Sequence, residues 1–233
     1  MQKGLTRWLP LICILLGIGA VFYFHLYELL TLPTLKQYHQ QIILWTTQHY
    51  WLAVFYFCAV YIITIALSIP GATVLTLASG FIFGIVMGTI LVVISATLGA
   101  SVVFFATHTA FRETLMARAG PWLKRFAQEL QTNAVSYLLF VRLIPIFPFW
   151  LINIVAGLLN VRFIVFFLTT LIGIMPASLI YVAIGSGLHE IFAVNKAVDF
   201  HIIFKANILL PLVGLAVLAV VPVFYQKIRR RSK

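Results

Sequence analysis

Residues 136–156 read SYLLFVRLIPIFPFWLINIVA, and this stretch decides the fold. Beyond the hydroxyls at its start it is apolar except for Arg142 and Asn153. Pro145 and Pro148 break it, because proline removes a backbone donor and clashes inside a helix. Each arm holds about twelve residues, or roughly 18 Å of helix, against a hydrocarbon core of about 30 Å. Neither arm crosses a bilayer, so the segment is predicted to be a re-entrant hairpin that enters and leaves on one side.

The remaining chain makes a bilayer the solvent. Of 233 residues, 63% are hydrophobic and 9% charged, with a mean hydropathy of +1.08. Soluble domains carry about 25% charged residues, and so few charges do not cover a soluble surface. Sixteen Lys+Arg against five Asp+Glu give a formal charge of +11. The basic residues flank apolar segments, which assigns them to positive-inside topology and to anionic lipid rather than to nucleic acid. Cys13 and Cys58 both fall in apolar segments and suggest neither a disulfide framework nor a metal site. No cofactor is expected.

Outward from the hairpin, the pattern repeats. Residues 9–30, preceded by Lys3 and Arg7, are predicted to be an uncleaved spanning helix with a cytoplasmic N-terminus. Over 34–50, Leu35, Tyr38, Ile42 and Trp45 recur at spacings of three and four between glutamines, as in a helix lying along the outer interface. From 51 to 110 there is no Asp, Glu, Lys or Arg. That run divides at Pro70-Gly71, giving a first hairpin over 51–87 and a spanning helix over 88–110. Two more spans are expected at 163–184, kinked at Pro176, and at 208–225, before the basic tail 227–233. Placing all three basic tracts (3–7, 112–125 and 227–233) in the cytoplasm makes hairpin-then-span occur twice, entering once from each face. This is the inverted-repeat arrangement of many secondary transporters. Parity alone also admits full spans in place of the first hairpin's arms. The expected fold is therefore an all-α polytopic membrane protein of about four spanning helices plus two opposed re-entrant hairpins. Its parts are an anchor and interfacial helix (1–50), a core (51–187), and an outer loop, last span and basic tail (188–233).

Two segments carry a family resemblance. Ile69-Pro70-Gly71-Ala72-Thr73 followed by Ser79-Gly80-Phe81-Ile82-Phe83-Gly84 resembles the first hairpin of the DedA/VTT-domain superfamily. Arg142-Leu143-Ile144-Pro145-Ile146-Phe147-Pro148-Phe149, with Asn153 and Ala156-Gly157, resembles its second. The pattern is most similar to the TVP/TMEM branch, the SNARE-associated Golgi type, and covers roughly 51–187. The resemblance implies two opposed hairpins and a role in moving lipids, including lipid-linked carrier phosphates in bacterial relatives, often coupled to the proton-motive force. DedA-type members place an acidic residue just after Pro-Gly. Ala72 stands there, so proton coupling through that carboxylate has no residue to run on.

Arg142 is the leading candidate for function. An intramembrane Arg costs at least about 2.5–3.5 kcal/mol on insertion scales and normally faces a cavity or a partner. No carboxylate in the spans offers itself, whereas a lipid phosphate matches the planar guanidinium fork. The bland alternative is an Arg that snorkels or braces the broken tip. The candidate substrate-contacting set is Arg142, Asn153 and Thr73, with the break residues Pro70, Gly71, Pro145 and Pro148 and the hairpin glycines Gly80 and Gly157. Gly80, Gly84 and Gly88 also read as a helix-packing stripe. Enzyme signatures such as a phosphate loop or a nucleophile elbow are missing. The function expected is a flippase or scramblase-like transporter of phosphate-bearing lipids held between the hairpin tips, in a bacterial plasma membrane, with a homo-oligomer allowed. The alternative is a non-transporting scaffold for envelope or vesicle-trafficking machinery.

Overall fold

The computed structural model describes residues 3–25, 28, 30–118, 132–144, 147–187 and 213, and no strand occurs among them. The helices are α1 (Lys3–Tyr23), α2 (Leu32–Gln48), α3 (Tyr50–Ala66), α4 (Ala72–Arg118), α5 (Ala134–Leu143), α6 (Phe149–Leu158), α7 (Phe163–Gly173) and α8 (Met175–Ser186). They form two compact units, 1–102 with 178–199 and 103–177 with 200–233. The outer loop, the span at 208–225, the basic tail and Pro145 lie wholly or almost wholly outside the described residues. Among the described residues, two stretches are long and apolar enough to cross a bilayer by length and composition, Ala72–Ala110 and Phe163–Ser186.

In the first unit, α1 stops at Tyr23 rather than running to Leu30. Just beyond it, His25 takes a left-handed φ of 55°. Thr31 then caps α2 by accepting from the Thr34 N–H (3.5 Å), with Pro33 in the first turn, the N-terminal chemistry helices favour. α3 is followed by the Pro70-Gly71 break, where Gly71 has φ +128° and lies against Leu30. Thr76 donates to the Ala72 carbonyl (2.8 Å). Its proton being used, it accepts the O–H of buried Tyr61 (2.9 Å), which ties α3 to the start of α4.

α4 is not one rod. Gly84 stands at φ 76°, ψ 178°, a region essentially reserved for glycine. Beyond it, a Cβ on Gly88 would lie 2.8 Å from the Ser79 carbonyl oxygen. On a continuous helix nine residues span about 13 Å, so the chain folds back at Gly84. The first hairpin's second arm is therefore 72–83, and the long helix starts at 85 rather than at Gly88. This corrects the stripe reading of the three glycines. Gly80 and Gly88 are points of close approach, but Gly84 has nothing within 4 Å of its Cβ position and is the hinge. The arm 72–83 and the end of α8 meet backbone to backbone, since a Cβ on Gly80 would strike the Val182 carbonyl and one on Gly185 the Leu77 carbonyl. Gly99 likewise lets the long part of α4 press on Ile62 and Ile65 of α3.

In the second unit, α5 and α6 are ten residues each, about 15 Å long and too short to span. Asn160, with φ 59°, turns the chain from α6 into α7. Phe104 of α4 stacks on Phe166 of α7 with centroids 4.7 Å apart, and Gly157 of α6 lies directly on Thr107 and Phe104. α7 ends at Gly173, and Ile174 precedes Met175-Pro176 at the start of α8.

Glycine substitutions separate these roles. Gly80→Val and Gly185→Val put a side chain into a backbone contact and should abolish a folded, monodisperse species in detergent. Gly84→Ala should cost about 1–3 kcal/mol through backbone strain alone. Gly19→Ala, with open space at its Cβ, should be neutral or slightly stabilising in thermal unfolding.

Candidate functional site: a buried guanidinium held by neutral oxygens

Threonines are plentiful inside the helices, and nearly all satisfy themselves. Thr64, Thr89, Thr97, Thr107 and Thr169 each donate to the carbonyl four residues back at 2.6–2.9 Å, a bond that needs no partner helix. Against that background one cluster of the second unit stands apart.

α5 ends at Leu143 because Ile144 turns extended (φ −87°, ψ 113°), the conformation a following proline imposes. This leaves Arg142 in the last helical turn, where the carbonyl end of the helix favours a cation. Pro148, with φ −59°, then starts α6 without a side-chain cap. Asn153 lies one turn into α6, and Thr170 comes from α7. Arg142 Nη2 donates to Asn153 Oδ1 (2.7 Å) and to Thr170 Oγ1 (2.8 Å). Thr170 gives its own proton to the Phe166 carbonyl (2.7 Å), so its oxygen faces the guanidinium purely as an acceptor. The Phe149 ring sits 4.6 Å and the Phe166 ring 5.4 Å from Arg142 Cζ. Gly173 makes the approach possible, because a Cβ there would come within 2.7 Å of Arg142 Cβ.

The cluster is enclosed but incomplete. Arg142 is 6% exposed, and Asn153 and Thr170 are 0% exposed. Arg142 Nε and Nη1 and Asn153 Nδ2 are buried with no hydrogen-bond partner among the described residues. Both oxygens on Nη2 are neutral. Glu28, the one acidic residue whose side chain is described, belongs to the first unit. Rings and neutral oxygens hold the charge in place without cancelling it.

Of the residues singled out from sequence, Arg142 and Asn153 are brought into direct contact. Pro148 is exposed and opens α6, while Gly157 packs on α4. Pro70, Gly71, Thr73 and Gly80 belong to the first unit. There Pro70 and Thr73 are exposed, Gly71 is half-buried at the break, and Gly80 is buried against Val182. Thr170, Phe149 and Phe166 were not singled out as site residues. The Thr169-Thr170 pair inside an otherwise apolar run was the available signal for the first of them.

Comparison with known proteins reaches the same segments. The VTT domain family model matches residues 69–187, about half of the chain. An uncharacterized membrane protein of Arabidopsis thaliana is 32% identical over 193 residues, 82% of this chain and 67% of its own length. Transmembrane protein 41B of Homo sapiens is 30% identical over 173 residues, 72% of this chain and 57% of its own. The transmembrane protein 41 homolog of Dictyostelium discoideum is 32% identical over 186 residues, 78% of this chain and 54% of its own. The chain thus spans about half to two thirds of the length of these curated relatives. No solved structure matches it. With both proline breaks and the Arg142 cluster inside the matched segment, this membrane protein belongs to the VTT domain family, on the TVP/TMEM branch of the DedA/VTT superfamily.

Proposed function

We propose that this protein moves phosphate-bearing lipids across the bilayer, as a flippase or scramblase-like transporter, and that Arg142 receives the headgroup. One observation carries the reading: a buried guanidinium with two unpartnered nitrogens, a neighbouring amide with a free donor, and no counter-ion among the described side chains. A buried charge left unpaired is costly by several kcal/mol. A phosphate oxygen removes that cost and accepts from the same donors in a charge-assisted bond roughly twice as strong as a neutral one. In this reading Asn153 and Thr170 are placeholders. Their neutral oxygens keep the fork oriented while the site is empty and yield it to a charged oxygen on entry. The uncapped start of α6 beside Phe149 adds backbone donors of the kind that favour anions. Pro70-Gly71, with Thr73 on its exposed side, is assigned the matching headgroup-facing break of the first unit. Pro145 and Pro148 are assigned the break that lets α6 begin beside Arg142, and Gly80 and Gly157 serve packing. No bond-making step belongs to this function.

The location proposed is the plasma membrane of a bacterium, with both termini cytoplasmic because the flanking tracts are basic. A membrane-impermeant maleimide should therefore label Ser232→Cys, in a protein whose Cys13 and Cys58 are serine, only after the cells are opened. Labelling of intact cells would reverse the topology.

The transport reading is tested in liposomes carrying a trace of dithionite-accessible fluorescent anionic lipid. Wild type should exchange the probe between leaflets. Arg142→Ala and Arg142→Lys should each slow exchange by about 10–100-fold, the loss of a charge-assisted fork contact. Static bracing is distinguished by the double variant Arg142→Met/Asn153→Leu. It removes the charge and its amide together and should unfold no earlier than wild type, while transport is lost. A double variant that still moves lipid, or wild-type vesicles no faster than protein-free ones, sinks the proposal.

A further inference from the structure

The first unit holds an apolar cavity of about 750 Å³ between α2, α3 and the 72–83 arm. Tyr38, Ile42 and Trp45 line it from α2, Ala53 and Val60 from α3, and Phe83 from the arm. We infer that this groove binds one acyl chain of a membrane phospholipid and takes it up without regard to headgroup.

Its walls are built rather than left over. Phe83 is held edge-on by Phe57 (5.3 Å, 70°) and by Tyr50 (6.0 Å, 83°). Trp45 stacks on His49 at 5.6 Å and meets Tyr56 at 6.0 Å. Side chains fixed in this way lose little freedom when a ligand arrives, which favours binding over a mobile surface. Yet Tyr38, Trp45 and Val60 remain between 41% and 44% exposed, so the groove is open and unfilled by the protein's own side chains.

The chemistry narrows the occupant. Among the described residues the polar lining consists of Gln41, Thr46 and tyrosines, and no Lys, Arg, Asp or Glu lines the groove. An extended peptide would bring backbone donors and acceptors that these helical walls leave unpaired. A partner helix about 10 Å across would fill 750 Å³ in about 10 Å of its length, under two turns, too little to seat a membrane span. A flexible hydrocarbon chain needs no polar partner, and its width suits a groove of this size. With no cation in the lining, nothing selects the headgroup. The site thus differs in chemistry from the Arg142 cluster, and its failure would leave that reading standing.

The test uses the full chain in detergent micelles with Trp45 as the sole tryptophan (Trp8, Trp51, Trp122 and Trp150→Phe). A matching protein retains only Trp51, which is 75% exposed and does not line the groove. Phosphatidylcholine brominated on its chains is titrated in. Quenching of Trp45 should saturate at a low mole fraction, and that of Trp51 should rise in proportion to it. Brominated phosphatidylglycerol should give the same midpoint. Ala53→Phe and, separately, Val60→Phe should move the Trp45 midpoint at least about tenfold, the effect of excluding two methylenes. The two unfilled single-tryptophan proteins decide the matter even if a filled variant does not fold. Quenching of Trp45 that merely tracks mole fraction, as for Trp51, overturns the site. A midpoint that follows headgroup charge overturns the claim of indifference.

Discussion

A guanidinium buried among apolar side chains needs a partner for its charge, and the second unit is arranged around that constraint. α5 stops where its carbonyl end can face Arg142, α6 brings Asn153, α7 brings Thr170, and Gly173 clears the space for the Arg142 stem. The two phenyl faces add attraction of about 0.5–2 kcal/mol each at most. All of these are neutral contributions. Together they fix the position and plane of the fork, but they do not supply the negative charge that a buried cation needs.

Two stretches of the chain follow the same order of elements. An apolar helix meets a proline-bearing break, a helix of ten to twelve residues follows, a residue with positive φ turns the chain, and a long apolar helix leaves. In the first stretch these are α3, Pro70-Gly71, 72–83, Gly84 and 85–118. In the second they are α5, 144–148, α6, Asn160 and α7 with α8. The turning residue differs for a reason. Gly84 has ψ 178° and must be glycine, whereas Asn160 at φ 59° occupies the left-handed region that asparagine tolerates. Asn160 is also held by His108, whose Nε2–H donates to its Oδ1 at 2.9 Å.

Much of this was legible in the sequence, and the misses have definite causes. Proline breaks and an Arg in an apolar run are local signals, so the short arms, Arg142 and Asn153 emerged from reading alone. Gly84 did not, because three glycines at spacing four look identical whether they line one helix or flank a reversal. Only the contact between Gly88 and Ser79 decides it. Thr170 was hidden for the opposite reason. Threonines in apolar helices usually bond their own backbone, as Thr170 also does, and nothing local marks the one whose remaining lone pair meets a cation 28 residues earlier in the chain. The end of α1 was misplaced because leucines and aromatics recur through Leu30 after the helix has stopped, and hydropathy is blind to a left-handed His25.

Four buried polar atoms lack a partner among the described residues, and their chemistry separates them. Ser95 Oγ, on a fully buried side chain, is one. An unmet neutral hydroxyl costs about 1–3 kcal/mol, and it sits alone in tight helix packing, where no larger ligand would fit. The other three are Arg142 Nε, Arg142 Nη1 and Asn153 Nδ2, all donors, all in one cluster and attached to one charge. A neutral orphan is tolerable as an isolated defect. A group of donors around an unneutralised cation is a different object, because an anion on either edge of the guanidinium would take up an unmet donor and neutralise the charge in the same step. That asymmetry between Ser95 and Arg142, rather than burial alone, is what separates the second cluster from an imperfection of packing.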